Sequence, residues 1–255
     1  MNKKWILLFA SLIPALSLFA FSPYENHLQS GDSTHAMLLA TAKDGKAEAL
    51  TTALQGLKEK KNAKQLKKHH ITNLSVFSKK LEGKECFFVY FDYNGKKDYL
   101  QAVEDFESTP AVQALEKWVK SVPPAADRGN QWLQLEWINY IHGSWTEEPA
   151  TNCFAMVTRI KPADEDHYRS LHQTTWPGIT DWMNRFGWQN FSLFFAEVNG
   201  TLYEFYYTEQ VPSDHPAKNL GDDPTLKRWL KLTDPCQNPL PDADGTWSAM
   251  NPVLK

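Results

Sequence analysis

The sequence predicts an α+β protein built from two tandem βαββαβ units. Three observations carry this. Short apolar runs that alternate in period two are interleaved with amphipathic runs of period 3.6, in the order β, α, β, β, α, β. That order then occurs a second time. The two halves also align residue by residue: Asn73-Leu-Ser75-Val-Phe77 matches Asn190-Phe-Ser192-Leu-Phe194, Gly83 matches Gly200, and Phe88 and Tyr90 match Phe205 and Tyr207. Self-similarity over this length indicates a duplicated domain rather than a solenoid.

In the first half, Ala36–Thr41 is apolar throughout and short enough for a buried strand. Lys46–Lys64 is rich in Ala, Leu, Lys and Glu and is expected to be one helix. Ile71–Ser78 and Cys86–Phe91 are expected to pair as a hairpin about Glu82-Gly83-Lys84. Helical pieces follow at about Lys97–Glu107 and Ala111–Lys120. Pro123-Pro124 ends them, and Trp132–Ile141 supplies a last strand.

The second half repeats the plan. Cys153–Ile160 is a strand and Asp164–Phe186 a helix. Asn190–Phe195 and Leu202–Tyr207 form a hairpin about Asn199-Gly200, a dipeptide suited to a two-residue turn. Pro224–Leu232 is a helix and Trp247–Leu254 the final strand. Residues 36–143 are therefore the first unit and 152–255 the second, with a linker at Thr146–Thr151. Each unit is expected to be a ferredoxin-like sheet with helices on one face. Both hairpins carry aromatics at alternate positions, so the other sheet face must be covered as well.

Met1-Asn-Lys3-Lys4 followed by an uncharged run from Trp5 to Phe21 has the form of an export signal, placed here at residues 1–22. An uncleaved anchor would need a somewhat longer span. The folded part is then expected to be periplasmic or secreted, with no membrane contact beyond the signal. A net charge of -3 argues against nucleic acid as a partner. Cys86, Cys153 and Cys236 are an odd number without metal-ligand spacing, and no metal site is expected. No nucleotide-binding motif occurs, so no cofactor is expected.

The chemistry-bearing stretch is Tyr168-Arg-Ser-Leu-His172-Gln-Thr-Thr-Trp176-Pro177. In a helix Tyr168 and His172 lie one turn apart on one face, and Trp176 extends that stripe. A histidine suits proton transfer near neutral pH, and an indole face covers the apolar side of a sugar ring. The same spacing also fits an amphipathic helix that packs its aromatics in the core. Superposing the first helices of the two halves places Leu50 opposite Tyr168 and Leu54 opposite His172, so only the second half keeps these groups. Tyr203, Phe205 and Tyr207 share one strand face, which either offers hydroxyls to a site or packs as an aromatic surface. His69 and His70 open a first-half strand and, like His142, are weaker candidates.

From Phe154 through Lys161-Pro162 to Tyr168-x-x-x-His172 and Trp176-Pro177, the chain resembles the N-terminal strand and helix of the L-rhamnose mutarotase family. Lys227-Arg228-Trp229-Leu230 resembles that family's later Arg-Trp-Trp helix. The resemblance covers the last hundred residues and, more weakly, the hundred before them. It departs from the family at Leu230, where a second Trp is usual, and at Gln173, where Asn is usual.

The resemblance implies a dimeric α+β barrel, formed in that family by two chains sheet to sheet. Here the two halves are expected to pair within one chain as a pseudo-dimer, with a dimer of chains as the alternative. It implies a cofactor-free sugar isomerase acting on a monosaccharide or oligosaccharide. His172 would be the main proton-transfer residue with Tyr168 as its partner, and Trp176 and Trp229 would be sugar-contacting walls. Arg228 and Tyr207 are expected to add substrate contacts. Two other readings stay open: a dehydratase or lyase acting on the unsaturated uronic acid end of an oligosaccharide, with Arg228 on the carboxylate, and a non-catalytic carbohydrate-binding module.

Overall fold

The computed structural model describes residues 34–95, 99–143, 149–213 and 221–255. The expected signal at 1–22 and residues 146–148 of the linker lie outside the described residues. The first half runs β1 (Thr34–Ala42), α1 (Ala47–Gln55), α2 (Lys60–Lys68), β2 (Ile71–Leu81), β3 (Lys84–Tyr93), α3 (Gln101–Ser108), α4 (Pro110–Gln113), β4 (Val119–Lys120), α5 (Pro123–Ala126), β5 (Leu133–Gln134) and β6 (Glu136–Gly143). The second runs β7 (Asn152–Arg159), α6 (Glu165–Leu171), α7 (Pro177–Arg185), β8 (Trp188–Val198), β9 (Thr201–Gln210), α8 (Pro224–Thr233), β10 (Ser248–Ala249) and β11 (Asn251–Leu254).

Two expected helices are each broken. The run at Lys46–Lys64 divides at a 3-10 turn over Gly56–Lys58, and Glu59 is extended (φ -56°, ψ 137°). The run at Asp164–Phe186 divides between α6 and α7. Pro177 pushes its predecessor Trp176 out of the helical region (φ -67°, ψ 130°) and then starts α7 as its first residue. Trp176 therefore does not extend the Tyr168–His172 stripe as one helix would have it. The expected helix at Ala111–Lys120 shortens to α4, and its end becomes the short strand β4.

Both hairpins form where expected. Glu82-Gly83 and Asn199-Gly200 take left-handed φ at both central positions (48° and 81°; 51° and 78°), which two-residue turns of this hand require. Each hairpin also carries the same irregularity, a register shift beside Asn73 in β2 and beside Asn190 in β8, with both asparagines at φ 50°.

The sheets are ordered β11-β2-β3-β1-β4, with β5 also on β1, and β10-β7-β9-β8-β6. Each half on its own has the ferredoxin-like order. To each is added a strand from the other half: β6 pairs antiparallel with β8, and β11 with β2. The expected last strand of each half is thus two strands in two sheets. Leu135 and Met250 mark the crossings, their N–H groups bonding to Met37 O (2.9 Å) and Ala155 O (3.0 Å) before the chain passes to the other sheet.

The inner faces of the two sheets meet in one core. Phe88 packs on Phe205 with centroids 4.7 Å apart, and Tyr90 stacks on Tyr207 at 3.5 Å. Fully burying side chains of this size stabilises by about 1.5–3 kcal/mol each. The outer faces are covered by helices: α1–α4 over the first sheet, and α6, α7 and α8 over the second. The two halves form a dimeric α+β barrel type pseudo-dimer within one chain. The three cysteines are free and buried. Among the described residues no helix is long and apolar enough to cross a membrane.

Candidate active site

Tyr168 sits in α6 and turns into the space between that helix and the second sheet, 2% exposed. Its hydroxyl donates to Glu204 Oε1 on β9 at 2.8 Å. Gln237, just beyond the turn that ends α8, donates from Nε2 to the same hydroxyl at 3.1 Å and lies 3.4 Å from Glu204 Oε2. Glu204 is fully buried. Desolvation raises its carboxyl to about 8, more than the hydrogen bonds from Tyr168 and Gln237 lower it. Burial and the adjacent carboxyl push the Tyr168 phenol well above its ordinary range.

His172 caps the C-terminus of α6. Its Nδ1 lies 3.0 Å from the Tyr168 carbonyl oxygen. A carbonyl only accepts, so Nδ1 carries the proton and Nε2 keeps its lone pair. Burial lowers the imidazole to about 4, against the raising effect of that backbone hydrogen bond, and the ring is neutral at ordinary pH. The His172 carbonyl accepts from Asn139 Nδ2 at 2.8 Å, and Asn139 belongs to β6 from the first half. The backbone of His172 is thus held by the strand that comes from the first half.

Four rings follow one another here. The Tyr168 and His172 centroids are 4.5 Å apart, Trp229 of α8 stands edge-on to His172 at 5.0 Å, and Trp176 meets Trp229 at 5.3 Å. Both indoles are half-buried, while His172 beneath them is only 8% exposed.

The structure brings together Tyr168, His172, Trp176 and Trp229. It does not bring Tyr207 to them. Alternation along β9 sends Tyr207 to the inner face, against Tyr90, where its hydroxyl donates to Glu209 at 3.0 Å. Glu204 takes the outer face that Tyr207 was expected to supply. Arg228 lies on the exposed side of α8. His69 pairs with Ser108, His70 packs edge-on to Tyr93, and His142 meets Tyr140.

Glu204, Gln237 and Asn139 were missed by sequence reasoning. Only Glu204 left a trace, as a lone carboxylate inside the run Tyr203-Glu-Phe205-Tyr-Tyr207, where a buried charge needs a partner. The first half offers a comparison: Leu50, Leu54 and Phe87 occupy the places of Tyr168, His172 and Glu204, all fully buried.

Beside the pair, both halves line a groove of about 440 Å³ that includes Arg128, Gln134, Glu136, Arg169, Phe195 and Leu202. Neither Tyr168 nor His172 lines it. The Phe195 ring connects the two regions, 6.2 Å from Tyr168 and 4.6 Å beneath the Arg169 guanidinium. Arg169 holds Glu136 through two bonds of 2.8 and 2.9 Å.

The family model described as L-rhamnose mutarotase matches residues 153–255. These residues are similar to the L-rhamnose mutarotase family. An L-rhamnose mutarotase of Rhizobium leguminosarum bv. trifolii is 26% identical over 92 residues, which is 34% of this chain and 84% of that protein. One from Burkholderia orbicola is 22% identical over 100 residues, 39% of this chain and 93% of that protein. Among solved structures, a putative monooxygenase from Lactobacillus acidophilus aligns over 86% of this chain and 93% of its own, with 9% identity and a TM-score of 0.47. Within the matched residues, Tyr168, His172, Trp176 and Trp229 are the residues whose motifs carry the resemblance, and they are the residues that meet in space.

Proposed function

We propose that the second unit, residues 152–255, interconverts the anomers of a sugar by acid-base chemistry at His172 and Tyr168, with side chains alone. Its similarity to L-rhamnose mutarotases supports a sugar isomerase-type enzyme. The observation that carries the reading is the His172 imidazole, held neutral with its Nδ1 proton on the Tyr168 carbonyl and its Nε2 lone pair available, next to two indoles suited to a sugar face.

His172 Nε2 takes the proton of the anomeric hydroxyl. The bond from the anomeric carbon to the ring oxygen breaks, and the ring oxygen takes a proton from the Tyr168 side. The open-chain aldehyde rotates and recloses by the reverse transfers. Trp229 covers the imidazole, so substrate enters as that ring moves aside. The lysines and uncharged run at the N-terminus support a periplasmic or secreted protein.

The test is proton NMR with rhamnose at equilibrium. Saturation transfer between anomers that depends on the protein and is lost in His172→Ala supports the proposal. Transfer at the uncatalysed rate in the wild type sinks it for that sugar.

The groove of about 440 Å³ beside the pair favours a second reading, a dehydratase acting on an unsaturated uronic acid end with the rest of an oligosaccharide in the groove. That activity removes the ultraviolet absorbance of the unsaturated ring, whereas anomer exchange preserves it.

A further inference from the structure

We infer that Glu204 is a positioning residue that stores a proton behind Tyr168 and passes it outward through the Tyr168 hydroxyl, with Gln237 holding the pair in line. The inference rests on the acid-base reading of the same site.

Three observations carry it. First, the Tyr168 hydroxyl is fully enclosed, and its two partners are Glu204 Oε1 at 2.8 Å and Gln237 Nε2 at 3.1 Å. A phenol whose only proton points at a carboxylate has none to offer a substrate. If the carboxyl itself is protonated, its O–H donates to the phenol oxygen and the phenol proton is free to turn outward. Second, the hydrogen bonds that favour ionised Glu204 are outweighed by its burial. Tyr168 faces it from α6, Gln237 and the Cys236 thiol from the turn after α8, and Tyr206 neighbours it on β9; among the described residues no cationic side chain acts on it. Burial accordingly raises the carboxyl to about 8. Third, the first half replaces the set as a unit. Phe87 stands where Glu204 does, together with Leu50 and Leu54 for Tyr168 and His172, and all three are core residues there. A carboxyl present only to hold that strand in place would have no reason to be absent where the tyrosine is absent.

The transfer balances. The Tyr168 proton goes to the sugar ring oxygen as the ring carbon–oxygen bond breaks, and the Glu204 proton moves to the Tyr168 oxygen. His172 Nε2 holds the proton from the anomeric hydroxyl. Reclosure returns each proton to its origin, so nothing is consumed.

Two measurements test this. The first needs no substrate: carbon-13 NMR of the Glu204 carboxyl, titrated in the wild type and in Tyr168→Phe. A carboxyl that is protonated at neutral pH, ionises near 8 and titrates elsewhere in Tyr168→Phe is expected. A carboxyl ionised throughout the neutral range, or indifferent to Tyr168→Phe, overturns the relay whatever the sugar does. The second is the pH profile of anomer exchange. Wild-type kcat should fall above about 8, and Glu204→Gln, which keeps the shape and a hydrogen bond, should lower kcat about 100-fold and remove that limb. An unchanged rate, or a slower enzyme that keeps the limb, overturns the relay. A wild type without exchange whose Glu204 still titrates as expected overturns the anomer reading alone.

Discussion

Tyr90 and Tyr207 are equivalent residues of the two halves, and their rings lie face to face with centroids 3.5 Å apart and planes 14° from parallel. Equivalent residues of a two-fold assembly touch only beside its axis, so the internal two-fold runs between these rings. The interface that two chains would form is here formed by one chain with itself. Around the axis the halves have diverged: Asp92 beside Tyr90 accepts from its hydroxyl and faces His35 Nδ1 at 2.8 Å, while Glu209 beside Tyr207 accepts from Asn73 and Asn190.

Tyr207 is therefore a structural residue. Tyr207→Ala should cost about 3–5 kcal/mol in urea unfolding, the range for removing a buried aromatic ring. Sugar affinity in the folded fraction should stay at the wild-type value. A large loss of affinity with unchanged stability would return Tyr207 to the site.

The last residues of the chain should stabilise its first half. Deleting 251–255 removes β11 from the β2 edge and Leu254 from the core under α1 and α2. We expect a chain that unfolds at lower urea and associates through the exposed edge, read by size-exclusion chromatography. The isolated residues 149–255 should fail to fold alone, because they lack β6 and leave the inner sheet face bare.

Asn139 is the first half's contribution to the site. Asn139→Ala removes the donor to the His172 carbonyl, a loss of about 1–3 kcal/mol for a buried acceptor. The measurable consequence is a fall in kcat of anomer exchange in a protein whose barrel core is untouched.

Trp229 stands edge-on to the buried His172 ring, whose burial lowers its proton affinity. Trp229→Ala should raise the imidazole from about 4 toward its ordinary 6.5, followed by proton NMR of the ring. In the wild type the base form persists down to about 4, so His172 should not limit activity between about 5 and 7.

The two buried titratable groups give opposite pH dependence of stability. His172 binds its proton more weakly folded than unfolded, so its effect is a loss of stability as pH falls from 6.5 to about 4. Glu204 binds its proton more tightly folded, so its stabilisation is complete below 4.5 and is lost as pH rises to about 8. Each acts at up to about 1.4 kcal/mol per pH unit within its window. Glu204→Gln should abolish the decline toward pH 8 while leaving the acid-side loss, as measured by urea unfolding across the range. A decline that persists in Glu204→Gln would place its origin elsewhere.

The sequence by itself determined the elements and the duplication, because these depend on local patterns. Alternation placed the hairpins, Asn199-Gly200 and Glu82-Gly83 placed their turns, and the matched residues of the two halves announced the pseudo-dimer. It also singled out Tyr168 and His172, whose separation is set by one helical turn. Pro177 was a legible stop that the long helical pattern hid, and heeding it would have separated Trp176 from the stripe. Tertiary structure alone decided which sheet each strand joins, since Leu135 and Met250 carry nothing in their own sequence that says where the next strand will find its edge. It decided that Tyr207 faces the interface and Glu204 the helices, because alternation assigns residues to opposite faces without saying which face is which. It brought Asn139 and Trp229 to His172, and Gln237 to Tyr168, from three distant parts of the chain. The physical reason is that a hydrogen-bonding pattern along a segment is local, whereas the partner that buries a face, and the buried group that shifts a proton's affinity, come from wherever the packed chain supplies them.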